Sequence, residues 1–77
     1  MEISILFFGQ LAEIIGKPSL SLSNVSNTDD LKAHLQQQFP ALEEMTFSIA
    51  VNKNIIQQNT HLNAGDEVAL LPPFSGG

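Results

Sequence analysis

One segment of this chain carries a helical apolar stripe of useful length, and a lone amphipathic helix can bury such a stripe only against a sheet. Leu31, Leu35 and Phe39 recur at i, i+4 and i+8, opposite Lys32 and the run Gln36-Gln37-Gln38. Asn27 is a good N-cap, and Asp29 and Asp30 put negative charge in the first turn, where the helix macrodipole favours it. Pro40 ends the helix, because it disfavours helical geometry in the residue before it.

The remaining periodic segments read as strands. In Glu2 to Phe8, Ile3, Ile5 and Phe7 share one face while Leu6 and Phe8 make the other apolar too. That pattern suggests a central strand, or one whose second face meets a partner. Gly9 breaks it. Leu11, Ala12, Ile14 and Ile15 follow helical spacing for a turn or two, with Gly16 closing the turn and Lys17-Pro18 making the next corner. Ser19 to Ser23 alternates serine and leucine, so Leu20 and Leu22 face inward on a half-buried strand paired with the first.

Past the helix, Ala41 to Met45 has no readable pattern. Thr46 to Asn52 alternates as a strand, Asn52-Lys53-Asn54 is turn chemistry, and Ile55-Ile56 returns as a short strand. Leu62 reads as core. Ala64-Gly65-Asp66 turns the chain into a last strand, Glu67 to Leu71, after which Pro72 and Pro73 offer no amide hydrogen for further pairing. The expected architecture is therefore α+β: a mixed sheet with one main helix packed across it. Residues 1–71 form the domain and residues 72–77 an extended tail.

Composition removes several function classes. Seventy-seven residues allow a single small domain, which buries only about 60–65% of its unfolded surface, so few apolar residues are dispensable. Cysteine is absent, which excludes a disulfide framework, a thiolate metal site and a thiol nucleophile. Eight acids against three lysines give a formal charge of −5. Nucleic acid is a poor partner for such a chain, because binding it relies on neutralising phosphates. Basic protein surfaces suit it better. The start of the chain lacks a basic targeting region, and no apolar stretch approaches the roughly 20 residues that cross a bilayer. The expected location is the cytoplasm, with no membrane partner.

Most candidate chemistry fails on inspection. Gly9 and Gly16-Lys17 miss phosphate-loop spacing and are followed by Pro18. His34 and His61 have no companion at ligand spacing, so no metal site is expected. Asp29-Asp30, Glu43-Glu44 and Asp66-Glu67 are sequence neighbours whose side chains point apart on regular structure. Ser75 has no identifiable base. What remains is Pro72-Pro73-Phe74-Ser75-Gly76-Gly77. The prolines bias this segment toward an extended course, and Gly76 and Gly77 can pass through a channel too narrow for side chains. The terminal carboxylate then sits at the tip of a thin probe. A frayed, inert terminus is the plainer alternative.

Phe7-Phe8-Gly9 followed by Leu11, Glu13 and Gly16, then Gly65-Asp66-Glu67-Val68-Ala69, then Pro72-Pro73-Phe74-Ser75-Gly76-Gly77, resembles the small sulfur-carrier subunits of molybdopterin synthase across the whole chain. The resemblance implies a ubiquitin-like β-grasp fold. It also implies that an adenylating, E1-like enzyme activates Gly77 with ATP and Mg²⁺, neither of which is a bound cofactor of this chain. A sulfur donor such as a cysteine desulfurase or a rhodanese-like protein then converts the carboxylate to a thiocarboxylate. The tail enters the large subunit of molybdopterin synthase, which supplies the acid–base groups, and gives its sulfur to cyclic pyranopterin monophosphate.

On this reading Gly77 is the reacting residue, and Gly76 and Ser75 give it access. Phe74, Phe8, Leu71 and Ile55 contact the partner, although Phe8, Ile55 and Leu71 read equally well as core. Ala12 stands where many relatives have arginine. A sulfur carrier for thiamine synthesis, a ubiquitin-like modifier that joins target lysines, and a non-covalent β-grasp module are the alternatives.

Overall fold

The computed structural model describes residues 2–72. Its elements follow in the order β1 (Glu2–Phe7), α1 (Gln10–Ile15), β2 (Ser19–Ser23), α2 (Thr28–Gln38), a 3₁₀ turn (Pro40–Glu44), β3 (Ser48–Val51), β4 (Asn54–Ile56) and β5 (Glu67–Leu71). The five strands form one sheet in the order β2-β1-β5-β3-β4. β1 and β5 are parallel, with Phe7 opposite Leu70, and the other neighbours are antiparallel. This is a mixed sheet with one main helix, the β-grasp arrangement of ubiquitin-like proteins.

The core lies between one face of the sheet and the helices. Alternation sends Ile3, Ile5 and Phe7 of β1 and Val68 and Leu70 of β5 to that face, all of them buried. Leu31 and Leu35 of α2 cover them from above, and Leu11, Ile15, Val25 and Leu62 close the sides. Each fully buried Leu or Ile contributes about 1.5–3 kcal/mol relative to leaving it in water. Leu20 and Leu22 are half-buried against this cluster, while the serines between them face solvent.

Several boundaries differ from the sequence reading, each for a local reason. β1 stops at Phe7 because Gly9 already turns the backbone to φ 58°. α2 stops at Gln38, and Phe39 takes φ −128°, ψ 82°, outside the helical region that a following proline disfavours. The segment Ala41 to Met45, which has no sequence pattern, is mostly a 3₁₀ turn that drives Leu42 fully into the core. β3 covers only Ser48–Val51 of the expected Thr46–Asn52.

The start of α2 is held from two directions. Asn27 accepts the Asp30 N–H through Oδ1 at 2.8 Å, the expected N-cap. Asn59, far along the chain, accepts the Asp29 N–H through its own Oδ1 at 2.9 Å. Thr28, the buried polar residue of the described core, accepts the Thr60 N–H at its hydroxyl oxygen at 2.9 Å, and its own N–H donates to the Thr60 carbonyl at 2.9 Å.

Candidate functional site

The face of the sheet away from the helices carries Phe8, Ile55 and Leu71, the described residues among the expected partner contacts. Strand register fixes its composition. Leu6 of β1 pairs with Ala69 of β5, Ala69 with Ala50 of β3, and Ala50 with Ile55 of β4. These four side chains form an apolar row across four strands, with Ser19 of β2 at its far end. The next row, nearer the end of β5, places Leu71 opposite Ser48. Phe8, whose N–H donates to the Leu70 carbonyl at 3.2 Å, continues the alternation of β1 beside it. On the opposite side of the row, Ser4 pairs with Ser21 and with Glu67. The face is thus apolar toward the end of β5 and polar toward its start.

Phe8 is 45% exposed and Ile55 60% exposed, while Leu71 is half-buried. None of the three belongs to the core cluster, so the core alternative raised for them by sequence does not hold. Ala50 is buried between its strand neighbours yet also lies outside that cluster, which makes it part of the floor of the open face. Sequence inspection placed Leu6 with Phe8 on an apolar second face of β1 but missed Ala50 and Ala69. Their signal was the apolar character of positions that alternate with core residues, and it becomes specific only once the register is known. Phe74, Ser75, Gly76 and Gly77 lie outside the described residues. Ala12 is half-buried against the core on α1, where its N–H donates to the Gly9 carbonyl at 3.1 Å.

Several polar groups of the described residues act in the fold. Asp66 accepts the Asn63 N–H at 2.8 Å and the Asn52 side-chain amide at 3.1 Å, and these bonds hold its carboxyl below the ordinary value of 3.8. Asn52 in turn accepts the Glu67 N–H at 3.0 Å, so the β3–β4 turn is tied to the start of β5. Among the described residues no group of three His, Cys, Asp or Glu side chains could hold a metal ion. His34 and His61 are exposed.

A groove of about 330 Å³ lies between the first turn of α2 and the β3–β4 edge, where the Lys32 ammonium stands 5.7 Å from the centre of the Phe47 ring. It shares Ile55 with the open face. Among the described residues no helix is long and apolar enough to cross a membrane.

Comparison with known proteins adds to this geometry. The profile of the ThiS family matches residues 5–77. The molybdopterin synthase sulfur carrier subunit of Chlamydomonas reinhardtii is 35% identical over 83 aligned residues, which cover 100% of both chains. Among solved structures, the small archaeal modifier protein 1 from Methanosarcina acetivorans has a TM-score of 0.85 at 30% identity, over 99% of this chain and 96% of that one. A chain in the Helicobacter pylori complex of subunits 1 and 2 of the molybdopterin-converting factor has a TM-score of 0.75 at 31% identity, with 100% of both chains covered.

Proposed function

The chain belongs to the ThiS family and to the sulfur carrier subunits of molybdopterin synthase, and on that footing we propose that its C-terminal Gly77 carries the sulfur. One observation supports this most. The apolar half of the open face lies beside the end of β5, and the sequence that continues from β5 is Pro72-Pro73-Phe74-Ser75-Gly76-Gly77. A partner seated on Leu6, Phe8, Ile55 and Leu71 has the tail within reach of its own active site. Complex formation by subunits 1 and 2 of the Helicobacter pylori factor supports a large-subunit partner of this kind.

A carboxylate is a poor electrophile. The activating enzyme therefore joins Gly77 to AMP from ATP, with Mg²⁺ on the phosphates and pyrophosphate leaving. The terminal sulfur of a donor persulfide displaces AMP, and a thiol then cleaves the S–S bond to leave a C-terminal thiocarboxylate. Its sulfur, ionised at neutral pH, attacks cyclic pyranopterin monophosphate in the large subunit. Two such transfers build the dithiolene. Acid–base chemistry belongs to the large subunit in this scheme, and the present chain supplies docking surface and cargo. All of these steps are assigned to the cytoplasm.

Deleting Gly76 and Gly77 tests the proposal. The truncated domain should melt as the full chain does and fail to support molybdopterin synthesis. A truncated protein that still supports it contradicts the assignment. Similarity to an archaeal modifier protein favours a second reading, in which Gly77 is joined to lysines of other proteins. Isopeptide-linked conjugates, in place of free thiocarboxylate, would establish that one.

A further inference from the structure

We propose that Gly9 is a positioning residue for the tail: its bare α-carbon seats the Pro72 ring and so sets the direction in which the chain leaves the sheet. This rests on the sulfur-carrier reading above. Leu71 is the last of the described residues held by strand pairing, through Ser48 of β3. The next residue, Pro72, has its φ fixed by its ring, so the placement of that ring sets the heading of the chain beyond it.

Gly9 supplies the floor for the ring. A β-carbon built on it would lie 3.0 Å from Pro72 Cγ, 3.8 Å from Cδ and 3.9 Å from Cβ. The closest of these is tighter than ordinary van der Waals contact, so the ring must give by a few tenths of an ångström, and Cγ has only the travel of a ring pucker in which to do so. Gly9 cannot easily retreat either. The Phe8 N–H before it is tied to the Leu70 carbonyl at 3.2 Å, and its own carbonyl accepts the Ala12 N–H at 3.1 Å to open α1. Its backbone stands at φ 58°, ψ −133°, a conformation that L side chains rarely adopt.

Gly16 and Gly65 make the contrast. Both have positive φ, yet nothing lies within 4 Å of where their β-carbons would be. Backbone conformation alone accounts for glycine at those two positions. Only at Gly9, of the three, is empty space also required, and Pro72 fills it.

The test is a double-mutant cycle of Gly9→Ala and Pro72→Ala, with the carrier as substrate of the activating enzyme and thiocarboxylate formation as the readout. Contacts of the activating enzyme with the folded domain set KM, and delivery of the tail sets kcat. Misplacement by a fraction of an ångström to one ångström costs roughly tenfold to a hundredfold in rate. Gly9→Ala should therefore lower kcat by about tenfold or more with KM within about twofold of the native value. In the Pro72→Ala background, where Cγ and Cδ are gone, the same substitution should change kcat by less than about twofold. An unchanged kcat overturns the proposal, as does an equal loss in both backgrounds, which would make the effect one of backbone strain.

If Gly9→Ala does not fold, Pro72→Ala alone removes the contact from the other side. It must then lower kcat with KM and Tm unchanged, and an unchanged kcat overturns the proposal. Native protein that is never loaded with sulfur would defeat the sulfur-carrier reading itself. Loaded native protein with an equally active Gly9→Ala variant defeats only the inference about Gly9.

Discussion

Replacing Ile55 with threonine separates docking from folding at the open face. Threonine keeps the β-branch that suits β4, so the pairing with Ala50 survives. In the free protein 60% of Ile55 is exposed, so most of its apolar surface has yet to leave water. Full burial of an isoleucine side chain contributes about 1.5–3 kcal/mol, and roughly three-fifths of that, about 1–2 kcal/mol, is left for a partner to gain. The expected loss in affinity for the large subunit is about 5- to 30-fold, since 1.4 kcal/mol is tenfold. Folding stability should change by less than about 1 kcal/mol.

Titration calorimetry with purified large subunit measures the first quantity and thermal melting the second. Ile14→Thr is the control. Ile14 is 41% exposed but lies on α1, on the helical side of the domain, and its replacement should leave affinity unchanged. Equal affinities for native protein and Ile55→Thr would refute the docking surface. So would equal losses from Ile55→Thr and Ile14→Thr.

Two further outcomes test the fold that presents this face. Asn59→Ala removes the acceptor of the Asp29 N–H and should cost about 0.5–2 kcal/mol, as loss of a helix cap does, read as a lower midpoint in urea. An unchanged midpoint would show that water replaces the cap without loss. Asp66 has a carboxyl lowered below 3.8 by its bonds to Asn63 and Asn52. Its contribution to stability is therefore complete above that value and disappears as pH falls through the lower folded one. The gap in Tm between native protein and Asp66→Asn should be constant from neutral pH down to about 4 and close below it. A gap that persists at lower pH contradicts this origin.

Much of the architecture was legible because short-period signals were bounded by turn residues. Ser19–Ser23 and Glu67–Leu71 fall where serine–leucine alternation and the Ala64-Gly65-Asp66 turn place them. The N-terminus of α2 follows from Asn27 and its two aspartates. The 3₁₀ turn was not legible, because Leu42 is one apolar residue among polar ones and its burial depends on the core above it. Phe8 continues the alternation of β1 by sequence, yet the turn at Gly9 ends the strand before it.

The site divides in the same way. Ile55, Phe8 and Leu71 were visible as apolar residues with two readings, and their position outside the core cluster removes the core one. The apolar row through Ala69 and Ala50 needs four strands in register. Capping by Asn59 and the seat of Pro72 on Gly9 each join residues distant in sequence, and neither leaves a local pattern.

Intact-mass spectrometry tests the sulfur assignment most directly. After incubation with ATP, Mg²⁺, the activating enzyme and a sulfide source, the protein should gain the mass difference between one sulfur and one oxygen. Fragmentation should place that gain on Gly77. An unchanged mass, or a gain on any other residue, would contradict the claim that this chain carries sulfur on its terminal carboxylate.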